Sequence, residues 1–78
     1  MTLHTLDVVV LNDDVPAEGL RRGDLGTVVD SYAADAIEVE FVTASGRTQA
    51  LVTLPLSAVR EVADNDLVAV RPTTRRDV

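Results

Sequence analysis

Residues 37–42 read Ile37-Glu38-Val39-Glu40-Phe41-Val42, alternating apolar and acidic side chains with a period of two. A helix would scatter those positions around its circumference. An extended strand puts Ile37, Val39 and Phe41 on one face and Glu38 and Glu40 on the other. The run is therefore read as a strand with one buried and one wet face, and such a strand needs neighbours and a core beneath it. Thr43-Ala44-Ser45-Gly46-Arg47 follows as a hairpin turn, with Gly46 suited to positive φ. Thr48–Leu54 is the return strand, with Ala50, Val52 and Leu54 expected inward.

The same reading extends in both directions. Leu6–Leu11 is a β-branched run that ends at Asn12-Asp13-Asp14, a strand and then a turn. Residues 12–24 contain Pro16, Gly19 and Gly23 among charged side chains, which predicts a long irregular loop. Val15 and Leu20 are expected to fold back as apolar anchors, because so long a loop is rarely structureless in a compact domain. Leu25–Tyr32 is the second strand. The spacing of Gly23 and Gly26 predicts a tight turn followed by a bulge or a close backbone approach. Asp24 between them is expected to accept hydrogen bonds from loop amides. Ala33–Ala36 is a short connection.

Pro55 fits the first position of a single helical turn, of 3-10 type, over Pro55–Val59. Leu56 and Val59 then lie three apart and plug one end of the fold, and Arg60–Val62 makes a short closing strand. The order predicts an all-β domain: a five-stranded Src-homology-3-like barrel with one 3-10 turn before the last strand. An open five-stranded sheet and an oligonucleotide-binding-type barrel compete, but the latter needs a helix between its third and fourth strands, for which there is no room. The domain is assigned to residues 1–62 and a C-terminal extension to 63–78. Within the extension, 66–70 has the composition of an extra edge strand, and the basic stretch beyond it is expected to fray.

Composition sets what this barrel can do. At 78 residues, folding hides only about 60% of the unfolded chain's surface, so the core is thin. No cysteine is present to reinforce it, and the single histidine, His4, makes no zinc site without carboxylate help. Net charge is −6, distributed unevenly: residues 1–40 carry two Arg against nine acids, residues 41–78 five Arg against four acids. That balance disfavours a phosphate-backbone binder and suits a basic protein partner approached by electrostatic steering. Met1–Thr5 lacks a basic leader and no apolar run nears the roughly 20 residues of a spanning helix, so a cytoplasmic protein is expected.

Four blocks carry a family resemblance: Leu6-Asp7-Val8-Val9-x-Leu11, then Pro16-x-x-Gly19-Leu20-x-x-Gly23-Asp24-x-Gly26-Thr27-Val28-Val29, then Glu38–Phe41, then Leu51-x-Thr53-Leu54. Together they resemble a family of short bacterial and cyanobacterial proteins catalogued only as a domain of unknown function. The resemblance covers roughly residues 5–62. It implies small stand-alone domains with a Src-homology-3-like barrel and supplies no catalytic residues. The Gly23-Asp24-x-Gly26-x-Val28 turn also resembles, more loosely, the barrel of nitrile hydratase β-subunits and the β-turn-β motif of some ribosomal and transcription-elongation domains. That likeness is attributed to geometry common to small barrels.

Residue chemistry points away from catalysis. His4 has no orienting partner in sequence, and no nucleophile motif surrounds Ser31, Ser45 or Ser57. Gly23–Gly26 lacks the Gly-Lys-Ser/Thr ending and following helix of a phosphate loop. Asp13, Asp14, Glu18 and Asp24 do not follow the spacing of a calcium loop; a solvated acidic loop or a docking surface explains them better. Tyr32 and Phe41 are the only aromatics, too few for a base-stacking platform or a proline-peptide groove. The expectation is a non-catalytic protein-binding module, antitoxin- or immunity-like or an enzyme accessory. No metal or cofactor is expected. Asp13, Asp14, Glu18, Arg21, Arg22 and Tyr32 are the candidate contact residues for a basic partner. An exposed edge strand would allow β-augmentation or a homodimer. Nucleic-acid binding aided by Arg71, Arg75 and Arg76 is the alternative, with metal or small-molecule binding behind it.

Overall fold

The computed structural model describes residues 2–73. Five strands form one antiparallel sheet: β1 (Val8–Leu11), β2 (Leu25–Tyr32), β3 (Ala36–Val42), β4 (Thr48–Pro55) and β5 (Val59–Glu61). Two single 3-10 turns interrupt them, η1 (Pro16–Glu18) in the first loop and η2 (Leu56–Ala58) before β5. The spatial order is β4-β3-β2-β1-β5. β1 to β4 thus run as a meander, and β5 returns to pair with β1 on its far side.

The alternation of residues 36–42 appears directly in β3: Ile37, Val39 and Phe41 are buried, while Glu38 and Glu40 are half-buried on the opposite face. β4 offers Ala50 and Leu54 to the same core, with Val52 packed at its margin. Val9 and Leu11 of β1, Val28 of β2 and Val59 of β5 complete it, and Leu20 enters from the first loop. Each large aliphatic side chain buried this way stabilises by roughly 1.5–3 kcal/mol, and in a domain this small few can be spared.

One cluster receives residues from both outer strands, so the sheet is strongly curled. Two irregularities help bend it. Register shifts between Val28 and Asp30 where β2 meets β3, and between Phe41 and Val42 where β3 meets β4. An extra residue at such a bulge sharpens the local twist. Curling stops short of closure: among the described residues β4 and β5 are edges and do not pair with each other. The expected closed barrel is therefore replaced by a curled sheet, because β5 has three residues and gives its pairing to β1.

Gly26 shows the close approach that its spacing predicted. A Cβ there would lie 2.4 Å from Val39 Cγ1 and 2.7 Å from Phe41 Cε2, so only glycine lets the core side chains of β3 rest on the β2 backbone. Gly46 has φ +89 in the β3–β4 turn, where the Gly46 amide donates to the Thr43 carbonyl at 2.9 Å. The β2–β3 connection is also a hairpin, turning through Ala33 at φ 56.

The extension departs from its reading. Residues 66–70 join no strand. Residues 62–73 instead run as a strap beside the mouth of the first loop, and Arg71, placed in a frayed tail by the sequence, is anchored. Arg75 and Arg76 lie outside the described residues.

Candidate functional site

The loop between β1 and β2 is built from its own backbone. Val15 and Leu20 exchange two amide–carbonyl bonds, 3.0 and 3.1 Å, closing a small ring around η1. Leu20 is thereby delivered to the core and Val15 packs against it, as the anchor reading required. Gly19, at φ 70, caps η1 and donates to the Pro16 carbonyl at 3.1 Å. The loop is tied to β1 through Leu11, whose amide donates to the Asp24 carbonyl at 2.9 Å and whose carbonyl accepts from Gly23 at 2.9 Å.

The loop carboxylates divide into two kinds. Asp14 Oδ1 accepts the Arg22 amide at 2.8 Å and Asp24 Oδ2 accepts the Arg21 amide at 2.8 Å, so both act as internal struts. Asp24 thus has the turn-stabilising role read from its glycine-flanked position. Among the described residues, the carboxylates of Asp13 and Glu18 have no hydrogen-bonding partner. Asp13 is exposed, Glu18 half-buried, and the Arg21 and Arg22 side chains are exposed. Nor do three or more acidic or histidine side chains converge on a metal-sized site among the described residues.

Tyr32 does not join this surface. It ends β2, seven residues beyond the strand's first residue at the loop, which is about 23 Å at a rise of about 3.3 Å per residue. Its hydroxyl donates to Glu38 Oε1. That bond, with some burial and the nearby charges of Glu38 and Asp30, pushes the phenol up to about 12. His4 is likewise engaged locally, its amide donating to Asp7 Oδ2 at 2.8 Å in an exposed turn.

What the sequence did not reveal is the strap's attachment. Arg71 Nε donates to Asp24 Oδ1 at 2.8 Å, Nη2 donates to Asp24 Oδ2, and Nη2 also reaches the Gly19 carbonyl at 3.2 Å. The guanidinium is thus held by a two-toothed fork plus a backbone oxygen, the arrangement in which an arginine is most specifically bound. Burial pushes the Asp24 carboxyl upward, but bonds from Arg71 and the Arg21 amide outweigh it, and the net displacement is below the ordinary value. A second fork sits at the strap's start. Arg60 Nη1 and Nη2 donate to Asp66 Oδ2 and Oδ1 at 2.8 and 2.9 Å, and the Ala63 amide adds a bond of 2.7 Å to the same carboxylate. These bonds hold Asp66 down at about 2. Asp24 and Arg71 are 47 residues apart, so no local pattern announces their pairing.

The two forks bracket Leu67–Val70. Beside them lies an open cleft of about 730 Å³, lined on the domain side by Leu20, Leu25, Phe41 and Val42 and on the strap side by residues 66–73. Leu67 and Val70 are 95% and 98% exposed. The strap is therefore fastened by its charges, with little apolar burial beneath.

No curated protein and no solved structure matches the chain. Residues 5–61 match the family described as Domain of unknown function (DUF4926), so that match spans β1 to β5 and stops where the strap begins. The chain belongs to the Domain of unknown function (DUF4926) family.

Proposed function

We propose that this domain is a non-catalytic protein-binding module that meets a basic partner with the acidic β1–β2 loop. One observation carries the reading: the loop is braced by Asp14, Asp24 and the Val15–Leu20 ring, leaving the carboxylates of Asp13 and Glu18 outside that bracing. A preordered surface loses less conformational entropy on binding, and negative charge speeds the encounter with a basic protein. The strand order β4-β3-β2-β1-β5, with a 3-10 turn between β4 and β5, supports a Src-homology-3-like arrangement left open between β4 and β5, in which this loop takes the position of the large specificity loop. Settings that fit are an antitoxin- or immunity-like protein and an enzyme accessory subunit in the cytoplasm. Among the described residues no helix is long and apolar enough to cross a membrane. The edge strands β4 and β5 leave room for a homodimer. The nucleic-acid alternative would draw on Arg71, which in this structure is paired with Asp24.

The test uses tagged protein on nuclease-treated lysate of its own source, comparing wild type with D13R/E18R. These two positions are chosen because neither carboxylate braces the loop. A basic protein retained by wild type and lost from the variant supports the reading. Equal retention by both, or retention that disappears with nuclease, refutes it.

A further inference from the structure

The strap is fastened to the domain through charged side chains. Leu67 and Val70 are nearly fully exposed and Val68 largely so, so burial contributes little to holding it. Its attachment rests on two arginine–aspartate forks with partly exposed side chains, 30% and 18% at Arg71 and Asp24, and 47% and 25% at Arg60 and Asp66. Ion pairs of this exposure hold weakly and are screened by salt. The family match ends at residue 61, so Arg71 is a side chain from outside the matched domain seated in a site made by it. That site has a defined shape: both Asp24 carboxylate oxygens, the Gly19 carbonyl and, beside them, an apolar cleft containing Leu20 and Leu25.

We propose that Asp24 and the Gly19 carbonyl form an arginine-accepting site for a protein partner, and that Arg71 masks this site in the free protein. The occupant is an extended segment of the partner that presents an arginine, as the strap presents Arg71 within the chain. This rests on the reading of the loop as a docking surface and specifies what docks there. Lysine is a poor substitute, because a single ammonium cannot span both carboxylate oxygens and the carbonyl together. The strap competes as a tethered ligand, so it lowers the apparent affinity of the partner's arginine without altering the site.

The experiment is an NMR titration of the full chain with the blocked tripeptide Val-Arg-Pro, following the Arg21 amide, which donates to Asp24. In R71A the peptide should shift that amide saturably, about three- to five-fold more tightly than in wild type, and Val-Lys-Pro should lose most of the effect. D66N, which loosens the strap while leaving Asp24 and Arg71 intact, should fall between the two and serves if R71A does not fold. Equal titration of wild type and both variants, or no saturable shift in any, overturns the proposal. The loop reading fails differently. Capture lost from D13R/E18R with no saturable peptide shift removes the arginine site alone. A saturable, strap-dependent shift with capture unchanged in D13R/E18R keeps the arginine site and removes the broader acidic surface.

Discussion

At the scale of single residues, Gly26 and the fork carboxylates are decisive. Gly26 reserves the space that Val39 and Phe41 fill. G26A should overpack the core and lower stability by about 1–3 kcal/mol, read as a lower urea midpoint at unchanged slope. The close approach was legible because Gly23 and Gly26 stand at a strand entry, where glycine has few other uses; the identity of the side chains it admits needed the fold. Asp66 makes the cleanest electrostatic prediction. Its folded-state carboxyl is held at about 2, first by the Arg60 hydrogen bonds and then by the Ala63 amide, against an ordinary 3.8. A depressed acid stabilises its structure above the ordinary value, and that contribution is lost as pH falls through the folded value. The Arg60–Asp66 fork should thus persist at pH 4 and open as pH falls toward about 2. A carbon-detected titration of the Asp66 carboxyl checks this, and R60A should return its midpoint toward the ordinary value. Asp24 should behave in the same sense, with R71A raising its midpoint.

At the scale of elements, β3 and β4 were readable almost side chain by side chain, because an alternating strand states its own facing and Gly46 marks its turn. The first loop was readable in outline. Val15 and Leu20 stood out as apolar residues in a polar stretch, and both became anchors. Tyr32 was grouped with the loop residues although it closes β2, a strand's length from Leu25 where the loop ends. The strap was misread for a different reason: Leu67–Val70 has β propensity, but a strand exists only where a partner edge is offered, and none is taken. Its fastening depends on pairs whose geometry arises after folding. Such a segment adds little to the core. Deleting residues 63–78 should leave the sheet folded and cost about 1 kcal/mol or less in urea unfolding, in keeping with weak exposed ion pairs. Loss of cooperative unfolding on that deletion would show the strap to be part of the core.

At the scale of the whole molecule, a thin aliphatic core carries a curled sheet, and the sheet's function falls to what projects from it. The all-β class and the order of elements along the chain followed from the sequence, because β3 declares its period and glycines mark the first loop and the β3–β4 turn, while the β2–β3 turn passes through Ala33. Closure did not, since it depends on whether a three-residue β5 reaches β4, a matter of curvature that no local pattern encodes. The net charge of −6 concentrates its excess in the half that contains the β1–β2 loop, and this gives the molecule a direction. Partner association should therefore slow markedly with added salt, while D13R/E18R changes stability by no more than about 0.5 kcal/mol, as expected of surface substitutions. The most direct measurement is hydrogen exchange of the full chain, alone and with the partner retained by capture. The account predicts slower amide exchange across residues 12–24 on binding, together with faster exchange of the Arg71 Nε proton, which donates to Asp24 in the free protein, as the strap lets go. Protection confined to the β2–β3 hairpin around Tyr32, with residues 12–24 unchanged, would contradict it.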